Sequence, residues 1–253
     1  MKRLSIMTAS NLLTLLFSFC FLSLEVGADL KDGLIGLWLF DTAKGKVIED
    51  SSGNKNHGEL NNGAKRDVGK FGQSVVTKPQ QGVDVPLSDS LNSLKEQMTI
   101  GGWFRIDEDS DTGHRRNGSY LLEDQARGEQ NPDGWVFAVW TDSGIGLAWG
   151  NKKVKQKVWT HIAGTYDGKM ISLYINGELD VSVKKDGEIA NPDDPLCLGK
   201  YGAETYIGGI DEVFIYDRAL STEELKELLK GFESAFSVDP SEKLATKWAT
   251  LKM

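Results

Sequence analysis

Five oxygen-bearing positions are the chain's clearest candidates for chemistry: Asp41, Asp50, Asn56 and Gly58 near the start, and Asp211 far downstream. Carboxylates, amides and backbone carbonyls are what a hard cation such as calcium takes, at about six to eight oxygens per ion. The spacing is not that of an EF-hand loop. Asp50, Ser51, Ser52, Gly53 and Asn54 are also ordinary turn formers, whose side chains bond their own backbone. On the residues alone both readings stand. Acid–base catalysis on a glycosidic bond would need two carboxylates about 5–9 Å apart. The pairs Asp211–Glu212 and Glu123–Asp124 are adjacent, and neighbours on a strand point to opposite faces. His57 lies in a polar stretch and His114 beside Arg115 and Arg116, while His161 sits in an apolar run as a core residue would. No nucleophile elbow, zinc-type cluster or phosphate loop occurs, so the chain reads as non-catalytic. Two aromatics are placed for ligand stacking. Trp135 follows the turn Asn131-Pro132-Asp133-Gly134, and Tyr201 follows Gly199-Lys200. Rings at such junctions can form an apolar floor, with polar neighbours fixing a ligand's hydroxyls. Trp38 and Trp103 read as core instead, given how much area an indole buries.

The elements that must carry these residues are mostly strands. Short apolar runs separated by turn signals, with 28 glycines, point to a sandwich or barrel. Strands fit Leu34–Phe40, Ser74–Thr77, Gly82–Val85, Met98–Ile106, Tyr120–Leu122, Trp135–Trp140, Gly144–Trp149 and Trp159–Tyr166. Met170–Ile175 and Leu179–Val183 alternate around Asn176-Gly177, the favoured pair for a type I′ hairpin turn. Ile210–Tyr216 forms a last strand. Ser221 and Glu224 then fit a capping box, with Leu220 and Leu225 as its hydrophobic staple. That predicts one short helix from Thr222 to about Leu229. Asp107–Gly118 and Glu123–Gly134 are polar enough to be surface loops.

Four stretches together carry a family resemblance. They are Gly36-Leu37-Trp38-Leu39-Phe40-Asp41, the loop Asp50–Gly58, the run Trp159–Gly168 continuing to Asn176-Gly177, and the exit Ile207–Leu225. In this order they resemble LamG-like jelly-roll domains of the concanavalin A-like lectin/glucanase superfamily. The resemblance implies an all-β fold: a two-sheet antiparallel jelly-roll sandwich with a short C-terminal helix. It also implies that first and last strands lie close, so that Asp41, Asp50, Asn56, Gly58 and Asp211 could share a structural Ca2+ ion. Relatives bind carbohydrates, proteins or other extracellular ligands. Laminarinase-like members carry a Glu-x-Asp-x-(x)-Glu arrangement on one strand, which this chain lacks. The expectation is a binding module for an extracellular glycan, with protein–protein adhesion as the alternative and glycoside hydrolysis less favoured.

Bulk properties agree. Met1-Lys2-Arg3 precedes an apolar stretch over Leu12–Leu24, and Val26-Gly27-Ala28 suits a cleavage site, so residues 1–28 read as a secretory signal. The apolar stretch is shorter than the ~20 residues of a membrane span. The domain is expected over 29–231, with a tail over 232–253 that is poorly ordered or docks as a strip. The formal net charge is −8 and grows more negative without the leader, which argues against nucleic acid as a partner. Only Cys197 remains after cleavage, so no internal disulfide is expected, and its apolar neighbours mark it as a small buried side chain.

Overall fold

The computed structural model describes residues 29–42, 45–108, 114–116, 120–124, 134–153, 155–191, 193–201 and 204–237. Residues 1–28, expected to be a leader, and 238–253, the end of the expected tail, lie outside the described residues. The first strands are β1 (Leu34–Trp38), β2 (Val47–Ile48), β3 (Gly58–Asn61), β4 (Lys65–Val68), β5 (Gln73–Thr77) and β6 (Gly82–Val85). The middle of the chain forms β7 (Met98–Ile106), β8 (His114–Arg116), β9 (Tyr120–Asp124), β10 (Trp135–Thr141), β11 (Gly144–Trp149) and β12 (Thr160–Tyr166). There follow β13 (Met170–Ile175), β14 (Glu178–Lys184), β15 (Leu196–Leu198), β16 (Lys200–Tyr201), β17 (Glu204–Thr205) and β18 (Gly208–Tyr216). Two short helices close the chain, α1 (Thr222–Leu228) and α2 (Phe232–Ser237).

The strands form the expected antiparallel sandwich. One sheet runs β14-β13-β12-β7-β18-β5-β4, with β1 also paired to β18, and the other runs β11-β10-β9-β8-β15-β6-β3-β2. Between them lies a continuous core containing Trp38, Phe104, Phe137, Ile162, Ile210 and Val213. The Asn176-Gly177 turn joins β13 to β14 with φ of 52° and 73°, the left-handed conformations that a type I′ turn requires. Ser221 accepts from the Glu224 backbone N–H at 3.2 Å while Glu224 Oε2 accepts from the Ser221 N–H at 2.8 Å, closing the capping box.

Two expectations are corrected here, for Asp107–Gly118 and for the faces of Asp211 and Glu212, and of the two readings of the tail the docked one holds at its start. The polar segment Asp107–Gly118 contains β8, which pairs with β9 and β15, because the second sheet needs a strand between them. The chain past Gly231 is partly built into the domain, since Phe232 and Ala235 of α2 are buried in a cluster with Phe214 and Leu225. Asp211 and Glu212 do not face opposite ways. Asp211 pairs with Trp103 but Phe214 pairs with Gly101, so β18 carries one extra residue in a bulge, and Glu212 takes φ +45°. Ile210 and Val213 accordingly both point into the inner core, and both carboxylates are left to the outer side. The bulge falls where β18 exchanges its partner β5 for β1, so no continuous ladder constrains it on that edge.

Candidate functional site

Three groups of residues account for the sequence candidates. The first is the loop around Asp50. Asp50 Oδ1 accepts from the N–H groups of Leu37 and Ser52, each at 2.9 Å, and Oδ2 from the Asn56 N–H and the Ser52 hydroxyl, each at 2.8 Å. Asn56 donates to the Ile35 carbonyl at 2.8 Å, and its own carbonyl accepts the Trp38 indole N–H at 2.8 Å. Gly58 belongs to β3, where a Cβ would run into Val83 and Val85. Here the lone pairs of Asp50 are occupied by N–H and O–H donors, which tie the loop to β1.

The second group surrounds the turn 69–73. Asp41 Oδ1 accepts from the Gln73 N–H at 2.6 Å, and Asp211 Oδ2 from the Phe71 N–H at 2.9 Å. Gly69 and Gly72 are required, because a Cβ at either would strike the carboxylate of Asp211 or Asp41 respectively. Thus Asp41 and Asp211, 170 positions apart, clasp one turn, while Asp50, Asn56 and Gly58 belong to another network. Burial pushes the Asp211 carboxyl up to about 7, against backbone hydrogen bonds and with the Asp41 charge adding to the rise. Burial likewise pushes Glu212 up to about 8. Glu212 Oε1 accepts from the Phe232 N–H at 3.0 Å, which fastens α2, while its buried Oε2 has no partner. Among the described residues no three His, Cys, Asp or Glu side chains converge as a metal site. His161 lies on the same face, stacked on Phe214 at 5.8 Å and edge-on to Trp103 at 5.4 Å. Desolvation lowers its pKa to about 3, so it is a neutral ring in the core.

The third group is the outer face of the second sheet. Trp135, expected to present its ring to a ligand, is instead 1% exposed and packs on Phe104 at 4.6 Å between the sheets. The side chain of Tyr201 lies outside the described residues. Two other tryptophans, Trp140 and Trp149, are the ones partly exposed on this face. Leu121, Val136 and Ala138 form a small apolar floor, on which Trp140, Leu147 and Trp149 pack while remaining partly exposed. Trp149 pairs across from Val136 and Trp140 across from Ile145, so the two indoles lie on the same face. At the rise of a strand, their backbones are about 14 Å apart. The signal was in the sequence: Trp135–Trp140 is apolar at every position, which a strand with one solvated face would not be. Cys197 of this sheet is buried as expected, its thiol pushed up to about 11, chiefly by burial.

Known proteins share this architecture. The family model described as concanavalin A-like lectin/glucanases superfamily matches residues 77–226. Domain 4 of AbnA, a GH43 extracellular arabinanase from Geobacillus stearothermophilus solved with arabinotriose, is 22% identical, with TM-score 0.56 over 77% of this chain and 97% of that one. The binding domain of Paraclostridial Mosquitocidal Protein 1 is 20% identical, with TM-score 0.64 over 80% of this chain. The receptor-binding domain of the botulinum neurotoxin C/D mosaic serotype is 15% identical, with TM-score 0.61, also over 80%. This chain spans 53% and 52% of the lengths of those two toxin chains. No curated protein matches the chain in sequence. No helix among the described residues is long and apolar enough to cross a membrane.

Proposed function

The chain belongs to the concanavalin A-like lectin/glucanases superfamily, and from that premise we propose that it is an exported, non-catalytic carbohydrate-binding module. The observation that carries this reading is the pair Trp140 and Trp149, half-buried on the outer face of the second sheet with Leu147 between them. Partly exposed indoles on a rigid sheet supply flat apolar surface at little cost in ordering, and sugar C–H faces match it. The arabinotriose on the arabinanase domain is support of the same kind. The carboxylates argue in the same direction. Asp211 and Glu212 share a face, but they are 0% and 4% exposed beneath the turn 69–73 and α2, where no substrate reaches them.

A structural calcium ion at Asp41 and Asp211 belongs to this proposal. These carboxylates flank one turn, and Asp211 is fully buried and accepts from neutral backbone N–H groups, so a cation there would offset the cost of buried charge. Asp50, Asn56 and Gly58 are not needed for it. Export rests on the leader over 1–28. The test of function is a glycan array probed with residues 29–253 and with the Trp140→Ala/Trp149→Ala double variant. Binding by the parent and loss in the variant is the expected result. Binding to protein ligands alone, or cleavage of a polysaccharide, would overturn the reading.

A further inference from the structure

We propose that a polar cluster of Asp84, Asn61 and Lys200 is the second anchor of the ligand, and that this ligand is a neutral oligosaccharide spanning the sheet. The inference rests on the carbohydrate-binding reading above and extends it to a second group of residues.

A single register row crosses the outer face. Leu147 pairs with Ala138, Ala138 with Leu121, Leu121 with Arg115, Arg115 with Cys197, Cys197 with Asp84, and Asp84 with Glu59. Directly opposed residues share a face. Asp84 therefore lies in line with the apolar floor beneath the tryptophans. Four strand spacings separate it from Ala138, about 19 Å. Leu121 and Cys197, between the two ends, are 6% and 7% exposed, so among the described side chains of the row the exposed surface lies toward its ends. One end is indole and leucine. The other is polar.

That polar end is assembled in advance. Lys200 Nζ lies 3.0 Å from Asp84 Oδ1, and Asn61 Nδ2 donates to Asp84 Oδ2. Gly82 pairs with Asn61, and a Cβ there would come within 2.8 Å of the Lys200 Cγ. The missing side chain lets the lysine stem lie along the sheet and bring its ammonium to Asp84. A carboxylate acceptor, an amide and an ammonium held together form a donor–acceptor set suited to neighbouring sugar hydroxyls. Little ordering remains to be done when a ligand arrives, which favours affinity. The charges within the cluster balance, Asp84 against Lys200. No surplus of positive charge favours an acidic sugar. Two anchors this far apart exceed the reach of a single sugar ring, so the ligand is an oligosaccharide.

The experiment uses residues 29–253 against gluco-, manno-, xylo- and arabino-oligosaccharides of increasing length, with sialyllactose as the acidic comparison. Calorimetry with the strongest neutral binder should show affinity rising with chain length. Asp84→Asn and Lys200→Gln should each weaken binding about ten- to hundredfold, the range for a hydrogen bond to a charged group. Their melting temperatures should fall by no more than about a few degrees, because the Lys200 and Asp84 side chains are 16% and 34% exposed and a partly screened ion pair contributes modestly to folding. Should Asp84→Asn misfold, Lys200→Gln and the exposed Glu59→Gln carry the test. Loss of binding in the tryptophan variants with full affinity in both Asp84→Asn and Lys200→Gln overturns the polar anchor and leaves the functional reading intact. Preference for sialyllactose overturns the neutral-ligand assignment. If no glycan binds the parent, the functional reading falls and this inference with it.

Discussion

The two sheets differ in how they finish their outer faces. On the first sheet, Leu37, Ala163, Phe214 and Tyr216 point outward, and the chain covers them with its own α1, α2 and N-terminal residues Leu30 and Leu34. On the second, Trp140, Leu147 and Trp149 also point outward but remain partly in water. Each sheet thus carries apolar side chains on part of its outer face as well as on its inner one. Apolar area sealed by the chain itself stabilises the fold, at roughly 25 cal/mol per Å². Apolar area left open is available to a partner. On the proposed reading, the same residue types serve stability on one side of the molecule and recognition on the other.

Truncation of the sealed face should have the largest effect. Phe214 is fully buried, packing on Phe232 at 5.4 Å and on the His161 ring. Phe214→Ala is expected to cost about 3–5 kcal/mol in denaturant unfolding. A loss under about 1 kcal/mol would mean that the helices do not seal this face, and the contrast would collapse.

The sealed face should also be sensitive to pH. Asp211 and Glu212 have folded pKa values raised to about 7 and about 8, mainly by burial, above ordinary carboxylate values. A raised folded pKa means that the native state holds its proton more tightly than the unfolded chain. Their stabilising contribution is therefore complete below about pH 4 and is lost as pH rises through 7 to 8. In chelator, the unfolding free energy from denaturant titration should be lower at pH 8.5 than at pH 5.5, by an amount on the order of a few kcal/mol. Calcium added at pH 8.5 should restore stability, since it binds only the clasped turn and favours ionised carboxylates. Absence of a calcium effect on melting would remove the ion from Asp41 and Asp211.

Why the sequence revealed some of this and hid the rest follows from the range of the interactions. The Asn176-Gly177 hairpin and the Ser221–Glu224 capping box were legible because each is closed by residues at most a few positions apart. The meeting of Asp41 with Asp211 was legible only through the family resemblance, since no local signal spans 170 positions. The bulge at Glu212 was not legible, because no glycine marks its positive φ; what permits it is a change of partner strand. For the same reason the two carboxylates were assigned to opposite faces. Among the tryptophans, the apolar run Trp135–Trp140 lacked the alternation that would have separated inward from outward rings. Trp135 went inward, and Trp140, five positions on, took the opposite face.

A smaller effect is expected at the lid of the sealed face. Ser221→Ala removes the acceptor for the Glu224 N–H and should cost about 1 kcal/mol. Because α1 supplies Leu225 and Leu228 to the outer cluster, the loss should also speed amide exchange at Phe214 and Tyr216. Exchange unchanged at those amides would show that the cover is held by the strands rather than the helix.

The smallest stability change should come from Trp149→Ala, and it sharpens the comparison most. Its ring already contacts water, so truncation removes only part of the apolar burial that Phe214 loses, and no sealed cavity forms beneath it. A cost of about 1 kcal/mol or less is expected, well below that of Phe214→Ala. Glycan affinity should nevertheless fall sharply, because stacking surface contributes to binding in proportion to what the ligand newly buries. Opposite rankings of the same two variants in unfolding and in binding would separate the two faces by function. If Trp149→Ala instead destabilised as much as Phe214→Ala, its face would also be sealed in the folded protein, and the site would have to be sought elsewhere.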